Sequence, residues 1–442
     1  MILLSWLNNG RYMIFSSEFY KKPKNWVWLI LVWDLFYAVL INYLRFPQAI
    51  NYFNDFACLV LLHSIIMTYR RKGGIGAASL QLKIIVFLFI ETIVSYLLNL
   101  YRPLTYLWGI RIIFRFMVFF LACTIYIDQK LLKRFFSILF CTMILNVVLT
   151  THQRLAGYTL DSVTGVFSLG KNVIGGSAGL NVFMCIVCTY YFVSAIYKKS
   201  RWYKCAVSMF ACIYMAAIGE LKMFYFELVI ILICTSLFSK FSLRRLLASI
   251  GGIGVVLLGM NMYNYYYGYK NTLEFASMID YAGASGKSYG SSYSLNRLTA
   301  IPYVWNNILD GNIKKIFGLG AGYADTISSE LFSSGFLKKN GDLGFHLWGA
   351  SLELTNLGII GLGIYIAFFV SILVCTYSIQ KSDVNNVNYY ITCEVVVVLS
   401  LVMLFYNTSL IVDNSAPFLY FIMAIPFAIS NHSKSMASNL KR

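Results

Sequence analysis

The stretch LGIIGLGIYIAFFVSILVCTY, residues 357–377, runs without a single charged side chain. About 20 such residues are needed to cross the ~30 Å hydrocarbon core of a bilayer as a helix. The stretch is therefore expected to span a membrane. Comparable apolar stretches lie near 26–44, 52–69, 84–101, 106–127, 135–150, 174–196, 205–221, 223–239, 246–263, 389–407 and 411–430. Together they predict an all-α polytopic membrane protein with about twelve transmembrane helices, organised as a single integral membrane domain over 1–442. A large structured outer loop, 264–345, separates helices 9 and 10.

Composition agrees with this reading. Hydrophobic residues make up 59% of the chain and charged residues 12%, with a mean hydropathy of +0.68, against roughly 45–50% and about 25% in soluble domains. The net charge of +18 does not point to nucleic acid, because Lys and Arg fall mostly in short tracts between apolar stretches, where they set membrane orientation. The ten Cys residues lie within or beside apolar stretches and read as small core hydrophobes. CIVC at 185–188 has CxxC spacing but lacks the exposed, electropositive setting of a reactive thiol. MILLSWLNNG at the start is too short an apolar tract for a cleavable signal peptide, so the first span is expected to be its own insertion signal.

Basic tracts alternate with the stretches: Arg11, Lys21, Lys22 and Lys24, then RRK (70–72) with Lys83, KLLKR (130–134), KKSRWYK (198–204) and KFSLRR (240–245). The positive-inside rule puts these tracts and both termini in the cytoplasm. The outer face then carries a loop at 151–173 and the long one at 264–345, and chemistry is expected there, since loops this long are usually functional or disordered. NYYYGYK (264–270), SSYSLNRLTAIPYVWNNILDG (291–311) and IFGLGAGYADTISSELF (316–332) are too aromatic and apolar for a tether. Ser294 is a candidate cap for a helix with Leu298, Ile301, Val304, Trp305 and Ile308 at three- and four-residue spacing. Pro302 is a candidate kink, and Arg297 falls in the first turn.

Several polar residues carry a functional and a structural reading at once. If 343–356 is helical, His346, Gly349, Ala350 and Glu353 share a face; His346 is either a base for an acceptor hydroxyl or an anchor at the interface. In IGELKMFYFELVIIL (218–232), Lys222 sits at an outer hairpin as a phosphate-binding cation, or as a partner of Glu220. Glu227 lies within the next span, where an ionisable group is costly. Arg111 and Arg115 share a face of the fourth span and either bind an anion or pair with acids such as Glu91. Arg154 and Lys171 bracket the outer segment that ends in Gly175 and Gly176, where freed amides can meet an anion. GLGAG (318–322) has no βαβ unit around it and reads as a tight turn rather than a dinucleotide site. No HExxH or paired His/Cys metal spacing occurs, and no internal repeat of the transporter kind is evident.

LNRLTAIPYVWNNI, IFGLGAGYA and FHLWGASLELTNLGIIGLGIY follow one another after about nine spans, and in this the chain resembles the bacterial O-antigen polymerase and O-antigen ligase superfamily. The resemblance in topology covers the whole chain, and that in motifs covers about 160–180 and 215–361. Arg297, Gly318, Gly320, Gly322, His346 and the run from Glu353 fit the family's slots, and Asn172 matches its Gly-x-Phe-x-x-x-x-Asn stretch. Where the family carries Ser-Arg at the outer hairpin this chain reads GELK, so Lys222 stands in with a point charge instead of a bidentate fork.

The resemblance implies metal-independent glycosyl transfer between polyprenyl-diphosphate-linked saccharides at the outer face of the plasma membrane, with no cofactor. His346, Arg297 and Lys222 take the catalytic roles. Arg154, Asn172, Glu353, Tyr293 and Trp305 contact substrate, with Tyr289 and Tyr303 as further stacking surfaces. The implied partners are the lipid-linked donor and acceptor, membrane lipid and a chain-length regulator. Polymerase is the preferred activity; O-antigen ligase, and from another class a lipid-linked oligosaccharide flippase, are the alternatives.

Overall fold

The computed structural model describes residues 19, 21–42, 44–171, 173, 175–240, 243–267, 295–327 and 329–439. It is about 80% helical, and no strand occurs among the described residues. The long helices are α1 (Pro23–Asn42), α2 (Phe53–Lys72), α3 (Ser79–Asn99), α4 (Pro103–Tyr126), α5 (Gln129–Leu155), α6 (Ser177–Ile196), α7 (Trp202–Ile218), α8 (Lys222–Phe238) and α9 (Leu243–Tyr267). Three short helices follow: α10 (Arg297–Tyr303), α11 (Asn312–Phe317) and α12 (Phe336–Asn340). The long helices α13 (Gly349–Ser382), α14 (Val387–Tyr406) and α15 (Ala416–Asn439) complete the chain. Each of the twelve apolar stretches falls on one of the long helices. Eight of the described helices are long and apolar enough to cross a membrane: α1 to α6, α13 and α14. α7 and α8 have 17 residues each, short of the ~20-residue span.

Polar contacts sort the helix ends onto two faces. On the first, Lys24 near the start of α1 pairs with Asp128 at 2.9 Å, in the α4–α5 turn. Near the end of α15, His432 Nε2 lies 2.8 Å from Ile127 O of that same turn, and Asn431 Nδ2 donates to Thr124 O and Ile75 O. Phe136 stacks on Tyr190 with centroids 3.4 Å apart, so the start of α5 meets the end of α6. Gln380 donates to Phe238 O at 3.2 Å, joining the ends of α13 and α8. The tracts at 70–72, 130–134 and 198–204 and Lys240 therefore gather on one face, together with the start of α1 and the end of α15.

On the opposite face α13 decides the architecture. Its 34 residues do not form one continuous helix, because Gly358 breaks it with φ 65 and ψ −170, a region open essentially to glycine alone. The break leaves carbonyls without intrahelical donors. Residues of the segment before α13 supply them: Leu319 N donates to Thr355 O at 2.8 Å and Gly320 N to Asn356 O at 2.9 Å. Gly318, with φ 73 and ψ −168, lies back to back with Gly358; a Cβ on Gly358 would sit 2.4 Å from Gly318 N and from Ile316 O. The GLGAG segment is thus a tight turn, with positive φ at Gly318, Gly320 and Gly322. It is also bound to α3 and the turn after it, where Ser95 donates to Phe317 O, Asn99 to Gly318 O and Tyr101 to Ala321 O, at 2.6, 3.1 and 2.7 Å, and it packs closely on Gly109 of α4.

Gly358→Ala is expected to lower the unfolding temperature of the detergent-purified protein sharply, since strained backbone of this kind costs about 1–3 kcal/mol before any clash is counted. Gly363→Ala, in the same helix with nothing within 4 Å of its added Cβ, is the matched control and should leave the temperature unchanged or slightly raised.

Candidate functional site

α10 starts at Arg297 because Asn296, not Ser294, caps it. Asn296 Oδ1 accepts from the amides of Leu298 and Thr299 at 3.1 and 3.0 Å, and Thr299 Oγ1 accepts from Asn296 N at 3.1 Å. This reciprocal arrangement is a capping box; Ser294 lies outside the described residues. After Pro302 the helix widens into a π turn over Val304–Ile308, with Leu309 N donating to Val304 O at 2.9 Å.

The cap orients Arg297 across the site. Its guanidinium carbon lies 4.3 Å from the Trp348 ring centroid and 3.9 Å from that of Tyr406, and Nε donates to Tyr406 O at 3.3 Å. Trp348 is fixed in turn, its indole N–H donating to Leu295 O at 3.3 Å, while Leu295 N donates to Leu343 O at 2.7 Å. The residues just before Arg297 are thus tied to the segment around His346, and α10 packs against the turn Phe345–Leu347.

His346 does not belong to a helix with Glu353, as the reading of 343–356 expected. Gly344 in the left-handed region and Trp348 in an extended conformation bound a short 3-10 turn, Phe345–Leu347, and α13 begins only at Gly349. His346 is half-buried and lies against Phe345 in an edge-on arrangement. Its Nδ1 is buried without a hydrogen-bond partner. Burial pushes the imidazole pKa below its ordinary value, because desolvation disfavours the charged form. Near neutral pH the ring is therefore neutral and able to accept a proton.

Glu353 is buried at 2% exposure, with Oε2 lacking a partner. It stands within α13 and so does not share a helical face with His346, which lies in the turn before that helix. Nearby, Asp325 accepts from Asn356 Nδ2 at 2.7 Å, and burial lifts its carboxyl to about 6.

The other expected site residues are scattered. Lys222 opens α8 and its ammonium is 3.5 Å from Glu220, the structural reading of that lysine. α8 and α14 pack against each other and run in opposite directions, so Lys222 shares a face of the bundle with Tyr406 and Arg297. Trp305 is half-buried, with Lys315 Nζ 5.3 Å above its ring. Arg154 lies in the last turn of α5, where Gln153 folds the following loop inward through Gly165 O at 2.8 Å and the amides of Thr164 and Gly165. Asn172 and Tyr293 lie outside the described residues, as does Tyr289. Among the described residues, no group of three or more His, Cys, Asp or Glu side chains is arranged to hold a metal ion.

Arg111 and Arg115 take the structural role, with partners other than Glu91. Arg111 pairs with Asp55 at 2.7 Å, and Arg115 with Asp55 at 3.5 Å and Asp413 at 2.9 Å. Glu91 keeps both carboxylate oxygens without a hydrogen bond. Tyr406 and Asp413 were not singled out in the sequence. Tyr406 closes an apolar stretch and Asp413 follows in a short turn, and neither carries a local motif.

No protein-family model matches the chain, and no curated protein matches it.

Replacing Arg297 with Met keeps the aliphatic stem and removes the cation. Because cation–π contacts are worth ~0.5–2 kcal/mol each, the variant should unfold about 1–2 kcal/mol more easily. The loss should be non-additive with Trp348→Leu in a double-mutant cycle read by thermal unfolding in detergent.

Proposed function

We propose that the protein is a glycosyltransferase of the plasma membrane that polymerises polyprenyl-diphosphate-linked oligosaccharide repeat units at the outer face, for O-antigen or capsule synthesis. In this reading all twelve long helices span the membrane. The face bearing the basic tracts is cytoplasmic, as are both termini, and the Arg297–His346 region faces outward. One observation carries the reading: α10, which holds Arg297, packs against the turn that holds His346, so a cation and a neutral imidazole from distant parts of the chain meet at a single face.

The chemistry follows from these two groups. The acceptor hydroxyl oxygen attacks the anomeric carbon of the donor sugar while the bond from that carbon to the lipid diphosphate breaks. The diphosphate departs with the electron pair, and its growing charge is stabilised by the Arg297 guanidinium. His346 takes the proton of the attacking hydroxyl. Lys222, held against Glu220, acts as a more distant point charge on the same face.

A carrier of lipid-linked oligosaccharide is the second reading. Buried carboxyl groups within helices favour it: Glu91, Glu227 and Glu394 each keep at least one oxygen without a partner, and such groups mark ion or proton paths in membrane proteins.

The test is the surface-glycan ladder of a deletion strain complemented with wild type, Arg297→Ala or His346→Ala at equal membrane levels. Polymerisation predicts collapse to a single repeat unit on its normal surface acceptor. Full-length chains stranded on the lipid carrier make the protein a ligase, loss of all glycan beyond the cytoplasmic face makes it a carrier, and an unchanged ladder removes both residues from any site. The initial rate of elongation in membrane vesicles should also fall as pH drops, with its midpoint below the ordinary imidazole value of about 6.5, since protonation removes the base.

A further inference from the structure

The seven residues that follow α14, 407–413, together with its last residue, Tyr406, make contact with Arg297, with the start of α13 and with Arg115. Tyr406 meets Arg297 through both its ring and its carbonyl. The next carbonyl, Asn407 O, accepts from Gly349 N at 3.1 Å, three positions after His346. A Cβ on Gly349 would lie 2.8 Å from Asn407 O and 2.9 Å from Leu404 O, so the start of α13 sits tightly on this segment. Farther along, Arg115 grips the same segment by backbone and side chain at once: its Nη2 donates to Ile411 O at 3.1 Å and to Asp413 Oδ2 at 3.1 Å, while Nη1 lies 2.9 Å from Asp413 Oδ1. Asn54 adds a hydrogen bond to Asp413 Oδ1 at 2.9 Å, and Asp55 braces Arg115 from α2. Arg115 is 8% exposed, deep in α4.

From this geometry we infer that Arg115 and Asp413 are positioning residues: their ion pair fixes the 406–413 segment and, through Tyr406 and Asn407, sets where Arg297 and the start of α13 stand relative to each other. The inference rests on the glycosyl-transfer reading for its effect on rate, but the clamp itself is structural. Arg115 is buried while Asp413 is partly exposed, so losing Asp413 leaves a buried guanidinium with Asp55 as its remaining acid at 3.5 Å and frees the segment that carries Asp413. Displacement of a charged group in a reacting site by a fraction of an ångström lowers rate without abolishing the fold.

The clamp is tested first by hydrogen-exchange mass spectrometry on the purified full chain. Asp413→Asn and Arg115→Lys should speed exchange in 296–303 and 345–352 and leave 318–325 unchanged, because that segment is anchored on α3, α4 and the break in α13 instead. Arg115→Lys retains the buried charge and serves where Asp413→Asn does not fold. Unchanged exchange in 296–303 and 345–352 overturns the clamp.

The effect on rate is tested by elongation in vesicles. Asp413→Asn should slow it about tenfold or more, and Asp413→Asn combined with Arg297→Lys should be no slower than Arg297→Lys alone, because both act on the same group. Multiplying losses, or full-rate elongation by Asp413→Asn with exchange altered as expected, sink the positioning role. If Arg297→Ala elongates normally while exchange responds as expected, the functional reading has failed and the clamp stands.

Discussion

Two glycines with no side chain between them join the GLGAG turn to the broken helix α13. Gly318 and Gly358 meet backbone to backbone, and the amides of Leu319 and Gly320 satisfy the carbonyls that the break in α13 leaves open. An unpaired carbonyl in a low-dielectric interior is expensive, so neither half of the arrangement is stable alone. The break requires the GLGAG turn, and the turn requires a cleft that only a broken helix provides. The turn at 317–321 is held against the bundle by this junction and by the hydrogen bonds to Ser95, Asn99 and Tyr101, while Leu295 and Arg297 are held separately through Leu343, Trp348 and Tyr406.

Both faces combine aromatic and polar contacts. Toward the face carrying the basic tracts, Phe136, Tyr190 and Tyr389 join α5, α6 and α14, and Lys24 pairs with Asp128. Toward the other face, Tyr96, Tyr101 and Tyr323 form an aromatic chain, and Arg111, Arg115, Asp55 and Asp413 form an ionic group. Polar groups that are satisfied by one another specify a single geometry more strictly than apolar packing does. The proposed glycosyl transfer, which depends on the relative placement of a guanidinium and an imidazole, would gain from such fixed polar groups.

Much of the fold was legible because crossing a bilayer imposes a length and a composition that a sequence cannot hide. The apolar stretch at 357–377 was placed to begin within a residue of Gly358, and the GLGAG turn was recognised from its glycines. What escaped the reading depended on contacts made across the chain. The cap fell on Asn296 because its side chain meets the amides of Leu298 and Thr299. The expected face of His346 and Glu353 dissolved because Gly344 takes a left-handed conformation, which a glycine permits but does not require. Tyr406 and Asp413 lie more than 100 residues from Arg297, and no local spacing reports that they meet. Charge alone showed that Arg111 and Arg115 needed partners, yet several acids were within reach by sequence, and the nearest in the chain was not chosen.

The broken helix also bears on how the chain is assembled. An unbroken helix over all 34 residues of α13 would be about 50 Å long at ~1.5 Å per residue, well beyond the ~30 Å that hydrocarbon accommodates. Residues 318–322 leave the ribosome before 349–382. The segment that satisfies the break is therefore already made when α13 is synthesised, so the bend has its hydrogen-bond partner at hand from the start.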